Sequence, residues 1–111
     1  MAEALNVALQ QAFGEGRTAL RRGDQVAAMV WLQRAHILSQ RMPLKHAWSH
    51  CLMLQAGWQA RDWREVAGQL PRIVAALLFS RIWVPAGNNG RARVSAFKPM
   101  PLSEDLQRLL E

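Results

Sequence analysis

The sequence predicts an all-α protein: four helices in an antiparallel bundle, an extended C-terminal tail packed over it and a short terminal helix, in one domain over residues 1–111. Three observations predict this. Apolar residues recur at three- and four-residue intervals through the first 82 positions. Helix stop and start signals fall together at Gly23-Asp24, Pro43 and Arg61-Asp62. Pro85, Gly87, Asn88, Asn89, Gly90, Pro99 and Pro101 then crowd a stretch in which a helix cannot persist.

The first helix is expected over about 2–22, with Leu5, Leu9, Phe13 and Leu20 inward, Gly14 and Gly16 as weak points, and Gly23 ending it. Asp24 can cap a second helix over about 24–40, its carboxylate accepting from the orphan N–H of Val26 or Ala27. Ala27, Ala28, Val30, Trp31, Leu32, Ala35, Ile37 and Leu38 make that helix apolar nearly all round, which predicts a central position. Pro43 suits the first turn of a third helix over about 43–60, where Leu44, Trp48, Cys51, Gln55 and Trp58 share the face expected to be the core. A fourth helix over about 62–82 should bury Val66, Leu70, Ile73, Leu77 and Leu78, and Pro71 should kink it near Ala67 to Gln69, aided by Gly68.

The tail, about 84–102, is expected to anchor through Val94, Ala96 and Phe97. Ser103 with Glu104 and Asp105 then starts a short helix over 103–110. Trp31, Trp48, Trp58 and Trp83 are expected to pack the bundle, with Trp63 exposed. The acid-headed starts at Asp24 and Asp62 stand 38 residues apart, close to the period of helix-turn-helix repeats, so the bundle is tetratricopeptide-like in layout, an analogy of architecture.

Composition narrows the function classes. At 111 residues the chain suits one core, with a radius of gyration of about 13 Å. Half the residues are apolar and Gly plus Pro amount to 12, which argues against disorder. The net charge of +6 comes mainly from scattered arginines, with no basic arm or stripe, so nucleic acid is not an expected partner. Cys51 has no second cysteine to pair with, and the start of the chain lacks the basic residues of a signal peptide. Both point to the cytoplasm. The longest apolar run, Ile73 to Phe79, is far short of the ~20 residues that a membrane span needs, so no membrane association is expected.

The three histidines carry the most specific chemical signal. His46 and His50 are four apart on the third helix and project from one side, one turn apart. His36 lies six residues before a turn near Met42, while His46 and His50 lie four and eight after it. At ~1.5 Å per residue all three fall in one layer of the bundle. Three imidazoles in a layer can bind a transition metal and leave a fourth position for water, a carboxylate or a thiolate. The candidates for that position are Glu65, Asp62, Glu15 and Met53, among which the sequence does not choose. Imidazole with carboxylate suits zinc, nickel or iron, and the nearby sulfurs of Met53 and Cys51 would tilt the site to copper. The competing readings are histidines hydrogen-bonded in a second packing surface, or histidines on the surface.

Catalytic constellations are thin, and an enzyme is not expected. Cys51 and His50 are sequence neighbours and so point about 100° apart on a helix. The serines lack a glycine elbow. The paired acids at Glu104-Asp105 and at Asp62 with Glu65 are explained by helix starts. The turn Gly87-Asn88-Asn89-Gly90 followed by Arg91 and Arg93 could offer backbone N–H groups and guanidinium to an anion or a partner, through Asn88, Asn89, Arg91 and Arg93. The alternative is an ordinary turn, because Asn and Gly accept positive φ.

The string Arg34-Ala35-His36-Ile37-Leu38-Ser39-Gln40, the histidine-bearing third helix, Gly68-Gln69 with Arg72, and the ending from Pro85-Ala86-Gly87-Asn88-Asn89-Gly90 to Phe97-Lys98-Pro99-Met100-Pro101 resemble an uncharacterised family of short bacterial proteins, a domain of unknown function. The resemblance covers nearly the whole chain, although Asn89 stands where many members carry threonine. It implies no activity, and an association with heavy-metal resistance that favours the metal reading slightly. The leading expectation is therefore a small non-enzymatic accessory protein that binds a divalent transition metal (zinc, nickel, copper or iron) through His36, His46 and His50, in metal handling or sensing. The competing one is a tetratricopeptide-like module for an unknown protein partner, with structural histidines. The apolar second helix also makes a homodimer conceivable.

Overall fold

The structure, a computed structural model, describes residues 2–111, with side chains from Glu3 onward. Its helices are α1 (Ala2–Arg21), α2 (Gln25–Ser39), α3 (Pro43–Gln59), α4 (Trp63–Phe79) and α5 (Glu104–Leu110), within one to three residues of the expected bounds. Helix α1 packs on α2, α2 on α3 and α3 on α4, and among the described helices α4 packs on α3 alone. The radius of gyration is 12.9 Å. No described helix is long and apolar enough to cross a membrane.

The two acid-headed turns are built alike. Gly23, at φ 74°, closes α1 while Asp24 N–H donates to the Ala19 carbonyl at 2.9 Å, and Asp24 Oδ1 accepts from Ala27 N–H at 3.0 Å. Arg61, at φ 55°, does the same for α3, with Asp62 N–H donating to Gly57 and Asp62 Oδ1 accepting from Glu65 N–H at 3.2 Å. In both, a left-handed residue and the following N–H satisfy carbonyls that the helix end would orphan.

Two apolar clusters form the core. One joins Ala19, Leu20, Ala28, Met29, Leu32, Leu52, Met53 and Ala56 across α1, α2 and α3. The other joins Ala8, Leu9, Leu38 and Leu106 and seats α5 against α1 and α2, where Arg34 also pairs with Asp105 at 2.9 Å. Helix α2 is central as expected, although Val26 and Val30 remain exposed on its outer side.

Helices α3 and α4 are rotated from the expected orientation. Leu44, Trp48 and Trp58 face solvent, and the buried stripe of α3 is His46, Ala47, His50, Met53, Ala56 and Gly57. On α4, Leu70, Leu77 and Leu78 are exposed while Glu65, Gln69 and Ala76 are buried, with Ser80 continuing that line just beyond the helix. Small residues explain the choice: a Cβ on Gly57 would stand 3.2 Å from Glu65 Cβ, so this stripe alone lets the helices approach closely. The polar groups that come with it are satisfied by one another. Helix α4 runs unbroken through Pro71, because both Pro71 and Ala67, whose carbonyl loses its partner, lie on the exposed side. Of the tryptophans expected to pack, only Trp31 is half-buried; Trp48, Trp58 and Trp83 are exposed with Trp63.

The tail crosses from α4 back to α2, and polar bonds hold it. Ala96 and Phe97, expected as anchors, are exposed, and Val94 is half-buried. Instead Gln40 grips the tail with both ends of its amide, Nε2 donating to the Pro85 carbonyl and Oε1 accepting from Gly87 N–H, each at 3.0 Å. Asn88 Nδ2 donates to the carbonyls of Ser95 and Lys98, and Arg72 donates to those of Gly68 and Val94. A loop this short of apolar contacts needs such bonds, because its backbone has no ladder of its own.

Candidate metal centre

The packing of α2 on α3 brings the three histidines to one point. His36 from α2 and His46 and His50 from α3 are 2%, 7% and 3% exposed. His46 Nε2 stands 3.0 Å from His36 Nε2 and 3.2 Å from His50 Nε2, and one ligand atom from each ring lies within 4.8 Å of the other two. The expected layer of imidazoles is therefore present, and the histidine side of α3 is its core side.

The partners of the outer nitrogens determine where the ring protons sit. Ser80 Oγ gives its hydrogen to the Ala76 carbonyl, so it can only accept from His46 Nδ1, at 2.7 Å. Gln69 Nε2 gives its hydrogens to Glu65 Oε2 at 2.6 Å and to the Gly90 carbonyl at 2.9 Å. Its Oε1 therefore faces His50 and accepts from Nδ1 at 2.6 Å. Both rings are thus protonated on Nδ1, and their Nε2 lone pairs point at each other and at His36. Holding the outer N–H is how proteins orient imidazole toward a metal.

The third ring is seated differently. Gly90, at φ 80°, lies against the His36 ring so closely that a Cβ there would fall 2.7 Å from His36 Cδ2. Gly90 N–H donates to Asn88 Oδ1 at 2.9 Å, which fixes that approach. His36 Nδ1 is buried without a hydrogen-bond partner, and the Asn88 backbone is the one neighbour that favours its protonated ring.

Burial keeps all three rings neutral. It lowers His46 from 6.5 to about 4, and burial followed by the charge of His46 lowers His50 to about 3. His36 falls well below the ordinary value through burial and then through the charges of His50 and His46. Arg72 adds to the effect on His36 and His50. The Nε2 lone pairs of His46 and His50, converging at 3.2 Å, repel one another and attract a cation. Two imidazoles bound at about 2.0–2.1 Å to a tetrahedral ion stand about 3.3–3.4 Å apart, so the two pairs that include His46, at 3.0 and 3.2 Å, need to open by only a few tenths of an ångström, and the third pair, His36 with His50, lies within 4.8 Å.

The other expected site residues lie elsewhere. Glu65 stands one residue removed from the histidines: its oxygens accept from Arg91 Nε at 2.8 Å, Ala92 N–H at 2.9 Å and Gln69. Burial alone would push this carboxyl up, but those bonds outweigh it and hold it below the usual carboxylate range. Asp62 caps α4 and binds Arg93 through both oxygens, at 2.6 and 3.0 Å. Glu15 is exposed on α1. Met53 is fully buried, its sulfur 3.6 Å from Gln69 Nε2. Cys51 is half-buried outside the cluster, its thiol pushed up by burial. Asn88, Asn89, Arg91 and Arg93, the expected anion or partner contact, make internal bonds: Asn88 and Asn89 to turn backbone, Arg91 to Glu65, Arg93 to Asp62.

Sequence reasoning missed Gln69, Ser80 and Gly90 as supports of the histidines. A signal for the first two exists: Glu65, Gln69, Ala76 and Ser80 follow helical spacing and form a stripe that is mostly polar. The histidines line a cavity of about 490 Å³ between α4 and the tail, with Gln40, Arg72, Ser80 and mainly apolar walls.

A family model described as "Protein of unknown function (DUF3703)" matches residues 3–110. The chain belongs to that family. The resemblance to an uncharacterised family is thereby met, and the match takes in all three histidines, Gln69, Ser80 and Gly90. No curated protein and no solved structure matches the chain.

Proposed function

We propose that this protein is a small non-enzymatic accessory protein that binds one divalent transition-metal ion through Nε2 of His36, His46 and His50 and serves in metal handling or sensing. The observation that carries the reading is the convergence of three buried, neutral Nε2 atoms, two of them with their outer N–H held by Ser80 and Gln69. A purely structural cluster has no need to bring the unprotonated Nε2 atoms of His46 and His50 together at 3.2 Å. An all-imidazole donor set suits zinc, nickel, copper(II) or iron(II).

The test is a cobalt(II) titration of chelator-stripped protein, followed by visible absorption. Intense d–d bands that saturate at one ion per chain, and vanish in both H36A and H50A with helical content retained, support the proposal. A flat spectrum refutes it for this class of metal.

A second reading has its own observation. Leu70, Val74, Leu77 and Leu78 expose an apolar side of α4, the helix that packs on α3 alone, as in a protein-interaction module. In that case H36A and H50A would leave partner binding intact.

A further inference from the structure

Building on the metal reading, we propose that the centre's open position takes a small organic carboxylate, its head on the metal and its apolar body in the cavity beside the histidines. Three features of the same cavity lead there. The first is charge: three neutral imidazoles leave a divalent ion with its full +2, and Glu65, the acid linked to His50 through Gln69, is already neutralised by Arg91. Arg72 adds a further cation to the wall, its guanidinium bonded to the uncharged carbonyls of Gly68 and Val94. An uncompensated charge beside low-dielectric walls is costly, so the cavity favours an anion.

The second is the wall. Phe79, Ile82, Trp83 and Phe97 line the cavity while 53–77% exposed, which leaves apolar surface wet at its mouth. The third is size: about 490 Å³ is room for an organic body and far more than one water needs. Hydroxide would meet the charge and leave the apolar walls wet. A neutral apolar molecule would cover the walls and leave the charge. A carboxylate with a hydrocarbon body does both, and guanidinium is its natural partner beside the metal.

The test uses the cobalt(II)-loaded protein, titrated with acetate, butyrate, hexanoate and, as the uncharged control, hexanamide, with d–d bands as the readout. The expected result is a saturable band shift, a dissociation constant that falls roughly fourfold per added methylene, and no shift with hexanamide. F97A, at a position 76% exposed and so without consequence for folding, should weaken hexanoate several-fold and leave acetate unchanged. Cobalt bands that form but ignore hexanoate, or acetate binding as tight as hexanoate, would overturn the carboxylate proposal and leave the metal reading standing. Absence of cobalt bands from the outset would overturn both.

Discussion

Gln69 accepts the His50 Nδ1 hydrogen at 2.6 Å while both hydrogens of its own amide are held by Glu65 and the Gly90 carbonyl. This one side chain therefore links the buried carboxylate, the tail and the imidazole. Through it the Arg91–Glu65 pair, outside the histidine cluster, sets the direction in which His50 presents its lone pair.

Replacing Gln69 by Leu leaves His50 Nδ1 and the Gly90 carbonyl without these partners in the core, while Glu65 Oε2 keeps the Ala92 N–H. With about 1–3 kcal/mol for each buried group left unpaired, Q69L should lose roughly 3 kcal/mol of stability in urea unfolding. Metal affinity, measured by chelator competition, should fall on the order of 10- to 100-fold, the usual effect of removing an outer partner of a ligand histidine.

G90A combines two effects. Its Cβ would collide with the His36 ring at 2.7 Å, and alanine at φ 80° is strained by about 1–2 kcal/mol. The variant should unfold at lower temperature and bind metal more weakly than wild type. G14A is the control, because a Cβ at Gly14 meets nothing within 4 Å.

The histidines make the metal-free protein acid-sensitive. Their folded values lie below the ordinary 6.5, to about 4 for His46 and about 3 for His50, so the unfolded chain takes up protons first. Stability is complete above pH 6.5 and is lost as pH falls toward 4, by about 1.4 kcal/mol per pH unit for each ring that stays neutral. Thermal unfolding from pH 7.5 to 4.5 should show this slope, and an H36Q/H46Q/H50Q variant should flatten it.

R61G should stabilise the protein. Arg61 holds the left-handed position that Gly23 holds in the matching turn, at φ 55°, and its side chain is exposed. Removing its Cβ relieves about 1 kcal/mol of backbone strain, partly offset by the greater freedom of glycine in the unfolded chain. A melting temperature raised by a few degrees, with metal binding unchanged, is the expected outcome.

Helix positions and caps were legible in the sequence because their causes are local. Asp24, Asp62 and Ser103 each accept the backbone N–H expected of a cap, and Pro43 opens α3 as its missing donor dictates. The histidine layer was legible for a related reason, since a four-residue spacing and a turn near Met42 fix it by helical geometry. The orientation of α3 and α4 was not. A hydrophobic count favours the face of Leu44, Trp48 and Trp58, whereas close packing through Ala47, Ala56 and Gly57 selects the other. The polar residues Glu65, Gln69 and Ser80 read as surface until their partners on α3 and the tail are known. The partners of Glu65, a candidate fourth ligand, were not legible either, because Arg91 and the Ala92 N–H, residues far along the chain, bind its oxygens.

The most direct measurement is a crystal structure of the zinc-soaked protein with anomalous data collected on both sides of the zinc edge. The account predicts one strong anomalous peak about 2.0–2.1 Å from Nε2 of His36, His46 and His50, with His46 and His50 still donating from Nδ1 to Ser80 and Gln69. Three histidines with unchanged spacing and no peak between them, or zinc found only on surface side chains, would contradict it.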